Sequence, residues 1–77
     1  MKKKNIVQKI INKYLVERDF DRGLKQLSEE TGIKYLRLQE HLKDPGQLRF
    51  FEFWAIDEVL EFEDSDVIKI VRAMKKV

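Results

Sequence analysis

The apolar residues of this chain recur at intervals of three and four, and that spacing constrains its fold more than any other feature. Such a period lines one face of a helix, whereas a half-buried strand alternates apolar and polar residues at every second position. No sustained alternation of the strand kind occurs. Breakers are scarce, with three glycines and one proline in 77 residues. The expected fold is all-α, a compact five-helix domain occupying residues 1–77, with helices at about 5–18, 22–31, 34–43, 47–60 and 66–76.

The first segment carries Val7, Ile10, Ile11, Tyr14 and Leu15 on one stripe, with Lys9, Asn12, Lys13 and Glu17 opposite. Asp19-Phe20-Asp21 interrupts it, and Asp21 is the expected N-cap of the second segment. That segment has Leu24 and Leu27 as apolar positions and ends at Gly32, where a left-handed residue suits a helix terminus. The third has Tyr35, Leu38 and Leu42 on its stripe and stops at Asp44-Pro45-Gly46. The fourth is apolar almost all round. The fifth has Val67, Ile70, Val71 and Met74 as its stripe, Asp64 or Ser65 as its expected cap, and Lys75-Lys76 at its end.

Size and composition exclude several classes. A domain this small buries only about 60% of the surface that its unfolded chain exposes, so its core must be efficient or a partner must complete it. With no cysteine there is no disulfide framework, redox pair or thiolate metal site. The balance of 43% apolar and 39% charged residues is that of a globular chain. No apolar run reaches the ~18 residues of a membrane span. Lys2-Lys3-Lys4 is followed by a mixed segment and not by a secretory apolar run, so the expected location is intracellular, in the cytoplasm. The net charge of +2 is a sum of opposites: residues 1–25 carry eight basic against three acidic residues, and residues 50–77 carry four against seven. A domain polarised in this way can turn a basic face to an anionic polymer.

The informative stretch is Leu24 to Lys43, two short helical segments separated by a tight glycine turn. Closely crossing helices need a small residue on the first and a turn residue that accepts positive φ. Here Leu27 is apolar, Ser28 is small, Gly32 stands at the turn, and Ile33, Leu38 and Leu42 follow at the next inward positions. The run Leu27-Ser28-Glu29-Glu30-Thr31-Gly32-Ile33, with Leu38 and Leu42 after it, resembles the helix-turn-helix of the lambda-repressor and Cro family. The order of five helices over nearly the whole chain is similar to that family too.

The resemblance implies sequence-specific binding to double-stranded DNA, usually as a two-fold homodimer, in a transcriptional regulator of phage or prophage type. The second motif helix would lie in the major groove. Base contacts would fall to Lys34, Tyr35, Leu36, Gln39 and Glu40, and backbone contacts to Arg22, Lys25, Arg37 and Lys43. The chemistry is coherent: Gln39 suits adenine, Lys34 or Arg37 guanine, Glu40 cytosine N4, and Leu36 a thymine methyl. Backbone N–H groups from Arg22 to Leu24 would offer a phosphate site, and Lys2-Lys3-Lys4 either an arm along the DNA or a solubilising terminus. Three departures from the family pattern stand out. Lys34 replaces the usual Ser or Thr cap, His41 takes a position generally given to a smaller or aliphatic side chain, and Glu40 offsets one cation.

The fourth segment packs Phe50, Phe51, Phe53 and Trp54 around Glu52. The expected core face is Leu48, Phe51, Ala55, Val59 and Phe62. That leaves Phe50, Phe53, Trp54 and Ile56 for a homodimer interface, or for cover by the first helix within one subunit. The rival to DNA binding is a helical module that captures another protein with these aromatics. An enzyme is not expected: His41 is the only histidine, and nucleophile–base pairs lack parts. Glu58, Glu61, Glu63, Asp64 and Asp66 lack the pattern of a calcium loop and read as a solvated helix junction. No cofactor, metal or small-molecule ligand is expected.

Overall fold

The structure, a computed structural model, describes residues 5–75. Among them it holds five α-helices and no strand: α1 (Ile6–Glu17), α2 (Leu24–Thr31), α3 (Tyr35–Lys43), α4 (Phe50–Leu60) and α5 (Asp64–Met74). The Lys2-Lys3-Lys4 arm lies outside the described residues, as does Lys76.

Helix termini follow local chemistry. At the start of α1, Asn5 accepts from the Gln8 N–H while Gln8 Oε1 accepts from the Asn5 N–H, a reciprocal capping box. Asp19, at φ 58°, closes α1 in the left-handed region, and the Phe20 N–H donates back to the Leu15 carbonyl at 2.9 Å. The expected N-cap of α2, Asp21, is not one. The chain turns through Gly23 at φ 57°, which is the N-cap residue and supplies no side-chain bond. The backbone demand at Gly23 overrides the capping preference of an aspartate two residues earlier.

Pro45–Gln47 forms a 3-10 turn, and Leu48 and Arg49 are extended, so α4 begins at Phe50 and not at residue 47. Proline at the first position of a short helix lacks only an N–H that would be unsatisfied there. At α5 the N-cap is Glu63, not Asp64 or Ser65; Asp64 and Asp66 fall instead in the first turn, where negative charge suits the helix dipole.

α1 packs on α5 and α3, α2 packs on α3 and α4, and the 3-10 turn rests on α5. The radius of gyration is 11.4 Å, against ~11 Å for a compact chain of this length. Val7, Ile10, Ile11, Tyr14 and Leu15 of α1 fill the centre with Leu27, Leu38, Leu42, Leu60 and Ile70. Phe62 meets Tyr14 edge to face at 4.8 Å and lies parallel to Phe53 at 6.1 Å.

The face assigned to α4 from its sequence is corrected. Phe53 and Ile56, expected at a dimer interface, are 4% and 1% exposed within the subunit, whereas Phe51, expected in the core, is 62% exposed. Glu52 explains the rotation. Its carboxylate is buried and satisfied, so the helix turns Glu52, Phe53, Ile56 and Leu60 inward and leaves Phe50, Phe51 and Trp54 outside. The acidic junction is corrected as well. Asp66 is buried, and its Oδ2 accepts from the Tyr14 hydroxyl at 2.7 Å and from Lys13 Nζ at 3.1 Å.

Candidate nucleic-acid interface

Three residues, Gly32 to Lys34, join α2 to α3. Gly32 takes φ 78° and its N–H donates to the Ser28 carbonyl at 2.9 Å, so the helix ends in the left-handed conformation that glycine adopts without strain. The small Ser28 lets the chain fold back closely, and its hydroxyl donates to the Ile33 carbonyl. Thr31 Oγ1 donates to the Leu27 carbonyl at 2.8 Å and accepts from the Ile33 N–H at 3.3 Å. Leu27, Ile33, Leu38 and Leu42 are buried together beneath this turn.

With Leu38 and Leu42 inward, the helical period puts Leu36, Glu40 and Lys43 of α3 outward, and Lys34 stands exposed at its N-cap. Leu36 is 71% exposed, a large apolar side chain left open by the described residues. Tyr35 and Gln39 are half-buried on the flank toward α2, where Gln39 Nε2 donates to the Tyr35 hydroxyl at 3.1 Å. Lys25 Nζ stands 5.9 Å from the Tyr35 ring centre. Lys34, Leu36, Glu40 and Lys43 therefore share one open surface, and Tyr35, Gln39 and Lys25 form its edge. Gln39 and Lys43 also line a shallow groove with Gln8 and Asn12 of α1.

Two of the expected phosphate contacts are engaged elsewhere. Arg22 forms a forked pair with Glu29 on α2, at 2.8 and 2.6 Å, on an exposed surface where such a pair opens readily. Arg37 turns to the other flank of α3, its Nε 3.0 Å from Glu52 Oε2.

Glu52 is the site residue that sequence reasoning missed. Its Oε1 accepts from the Arg49 N–H at 3.0 Å and lies 2.8 Å from His41 Nδ1. Burial pushes the carboxyl up, but the Arg49 N–H, the His41 ring and the Arg37 guanidinium together hold it below the usual carboxylate range. An ionised Glu52 requires the proton on His41 Nδ1. Two signals pointed to this arrangement: a glutamate enclosed by four aromatics, and a histidine at an inward position of α3. Each needs a polar partner inside the protein, and each is the other's.

Asn5 is a second missed link. Besides capping α1, its Nδ2 donates to the Leu42 and Lys43 carbonyls at 2.8 and 3.2 Å, so one side chain closes the start of α1 and the end of α3. α3 is thus pinned at its C-terminus by Asn5 and along its flank by Glu52.

The chain matches no protein-family model, no curated protein and no solved structure. Among the described residues, no group of three or more His, Asp or Glu side chains is placed to hold a metal ion, and no helix is long and apolar enough to cross a membrane.

Proposed function

We propose that this protein binds double-stranded DNA sequence-specifically, laying α3 in the major groove as a transcriptional regulator of the lambda-repressor and Cro kind. The observation that carries the reading is the α2–turn–α3 unit, in which a left-handed Gly32 and a buried apolar underside present Lys34, Leu36, Glu40 and Lys43 on one open face. That face mixes hydrogen-bonding groups of both polarities with an apolar tip, as base-edge readout needs. Lys25 and Lys43 are the phosphate contacts of this reading, and Arg22 joins them when its exposed pair with Glu29 opens. Gln39 turns from Tyr35 to an adenine.

Two copies pair on the duplex through Phe50, Phe51 and Trp54, which are 62%, 62% and 66% exposed. A fully buried aromatic hides ~150–250 Å², so these three supply ~300–450 Å² per copy, about half of the ~800 Å² per partner in a stable interface. Pairing therefore depends on the duplex and sets half-sites about one helical turn, ~34 Å, apart.

The rival reading, a module that binds another protein through the same aromatics, is favoured by their exposure alone. The two separate by salt. Duplex binding weakens linearly in log K against log salt, with a slope set by the phosphates neutralised. Lys43→Ala weakens binding to all duplexes alike, while Gln39→Ala relaxes preference at one position. Binding that is insensitive to salt and to both substitutions contradicts the proposal.

A further inference from the structure

Arg37 stands on the helix proposed to read the groove, yet its charge is met from inside the protein. Its side chain is half exposed, and its Nε lies 3.0 Å from the Oε2 of a carboxylate only 1% exposed. The other oxygen of that carboxylate is taken by the Arg49 N–H and His41 Nδ1. Glu52 thus gathers two side chains of α3 and the backbone N–H of Arg49, the residue just before α4, on one pair of oxygens. A buried carboxylate is stable only with its charge compensated, so the protein cannot release Arg37 to a phosphate without leaving Glu52 short of a partner. A cation matched in this way displaces few counterions when DNA binds.

We infer that Glu52 is a positioning residue, which holds α3 at a fixed setting against α4 through Arg37 and His41 and takes up the charge of Arg37, so that Arg37 orders the recognition helix and adds little to phosphate attraction. The inference rests on the duplex-binding reading. It reassigns Arg37 from backbone contact to internal brace, and it gives the otherwise odd polar residue His41 a task.

The test measures binding of the full chain to a duplex enriched from random sequence and to an unrelated duplex, over a range of salt. Arg37→Ala is expected to leave the salt slope as in the wild type while lowering the ratio of the two affinities by at least ~3-fold, the usual scale of coupling in a hydrogen-bonded network. Glu52→Gln keeps the shape of the side chain and frees Arg37. Its slope on the unrelated duplex is expected to steepen by ~0.9, the increment for one further phosphate neutralised, while the affinity ratio falls. A merely destabilised protein would weaken on both duplexes in parallel and would not steepen. Adding Arg37→Ala to Glu52→Gln is expected to restore the wild-type slope. If Arg37→Ala alone flattens the slope by ~0.9 and spares the ratio, Arg37 is an ordinary phosphate contact and the inference is overturned. Arg37→Ala removes a half-exposed side chain and leaves the Arg49 N–H and His41 on Glu52, so it decides the matter even if Glu52→Gln does not fold. Wild-type protein that binds neither duplex overturns the functional reading along with the inference; wild-type binding with unchanged variants overturns the inference alone.

Discussion

The Tyr14 hydroxyl joins two helices through two bonds. It donates to Asp66 of α5 at 2.7 Å and accepts from the Glu63 N–H at 2.9 Å, at a position where the ring is wholly buried. Tyr14→Phe removes both bonds and leaves a buried carboxylate with Lys13 alone, at an expected cost of about 1–3 kcal/mol in urea unfolding at neutral pH. The acid limb carries a second signature. Asp66 is held below the usual carboxylate range chiefly by the Tyr14 hydroxyl, with burial opposing and Lys13 assisting. A carboxylate depressed in the folded state stabilises it above the unfolded pKa and loses that contribution as pH falls through the folded one. Stability is therefore expected to drop below about pH 4, the ordinary range for aspartate, and to drop less steeply in Tyr14→Phe because less of the shift remains. An identical acid limb in the two proteins would show that the hydroxyl does not set Asp66. None of this was legible in the sequence. Tyr14 lay on a clear apolar stripe, but the hydroxyl's partners are about fifty residues away, and Asp66 looked like one member of a solvated cluster.

Among the elements, legibility followed amphipathicity. α1 and α3 have one apolar stripe and one polar face, so their sequences specify both the helix and the side that turns inward. The α2–α3 turn was legible for another reason: Ser28, Gly32 and Ile33 each answer a local steric demand. α4 has no such asymmetry. With aromatics on every side, the apolar pattern does not choose a face, and the expected core face of Leu48, Phe51, Ala55, Val59 and Phe62 is rotated from the observed one. The Glu52 carboxylate satisfies the Arg49 N–H, His41 and Arg37 in the interior. The other link invisible to periodicity is Asn5. Asn5→Ala is expected to cost about 1–2 kcal/mol, the upper range for an N-cap, because the carbonyls of Leu42 and Lys43 lose their donor as well. Asn5→Asp retains the acceptor for the Gln8 N–H and turns an anion toward those carbonyls. It therefore separates the two roles: hydrogen exchange is expected to speed at the end of α3 with little change at the start of α1. Exchange altered only in α1 would mean that the tie to α3 is energetically silent.

Across the whole molecule, among the described residues, 15 buried apolar side chains close one core, yet three aromatics on α4 remain outside it. Trp54→Ala is expected to leave unfolding within about 0.5 kcal/mol of the wild type, because the side chain is 66% exposed and packs little in the free chain. On a duplex with two half-sites the same change is expected to convert cooperative binding of two copies into independent binding of each, read from the stoichiometry and steepness of the binding curve. Unchanged cooperativity would move the pairing surface elsewhere. The near-neutral overall charge is no obstacle to DNA binding, since attraction depends on where cations stand. Lys25, Lys34 and Lys43 are exposed on or beside α3. The central claim, that this face reads duplex DNA, is tested most directly by selection of bound duplexes from a random pool at low salt. Enrichment of a motif is expected, repeated with two-fold symmetry about one helical turn apart, and lost in a Lys34, Gln39 and Lys43 triple alanine variant that still folds. A pool that emerges with no enriched motif would contradict it.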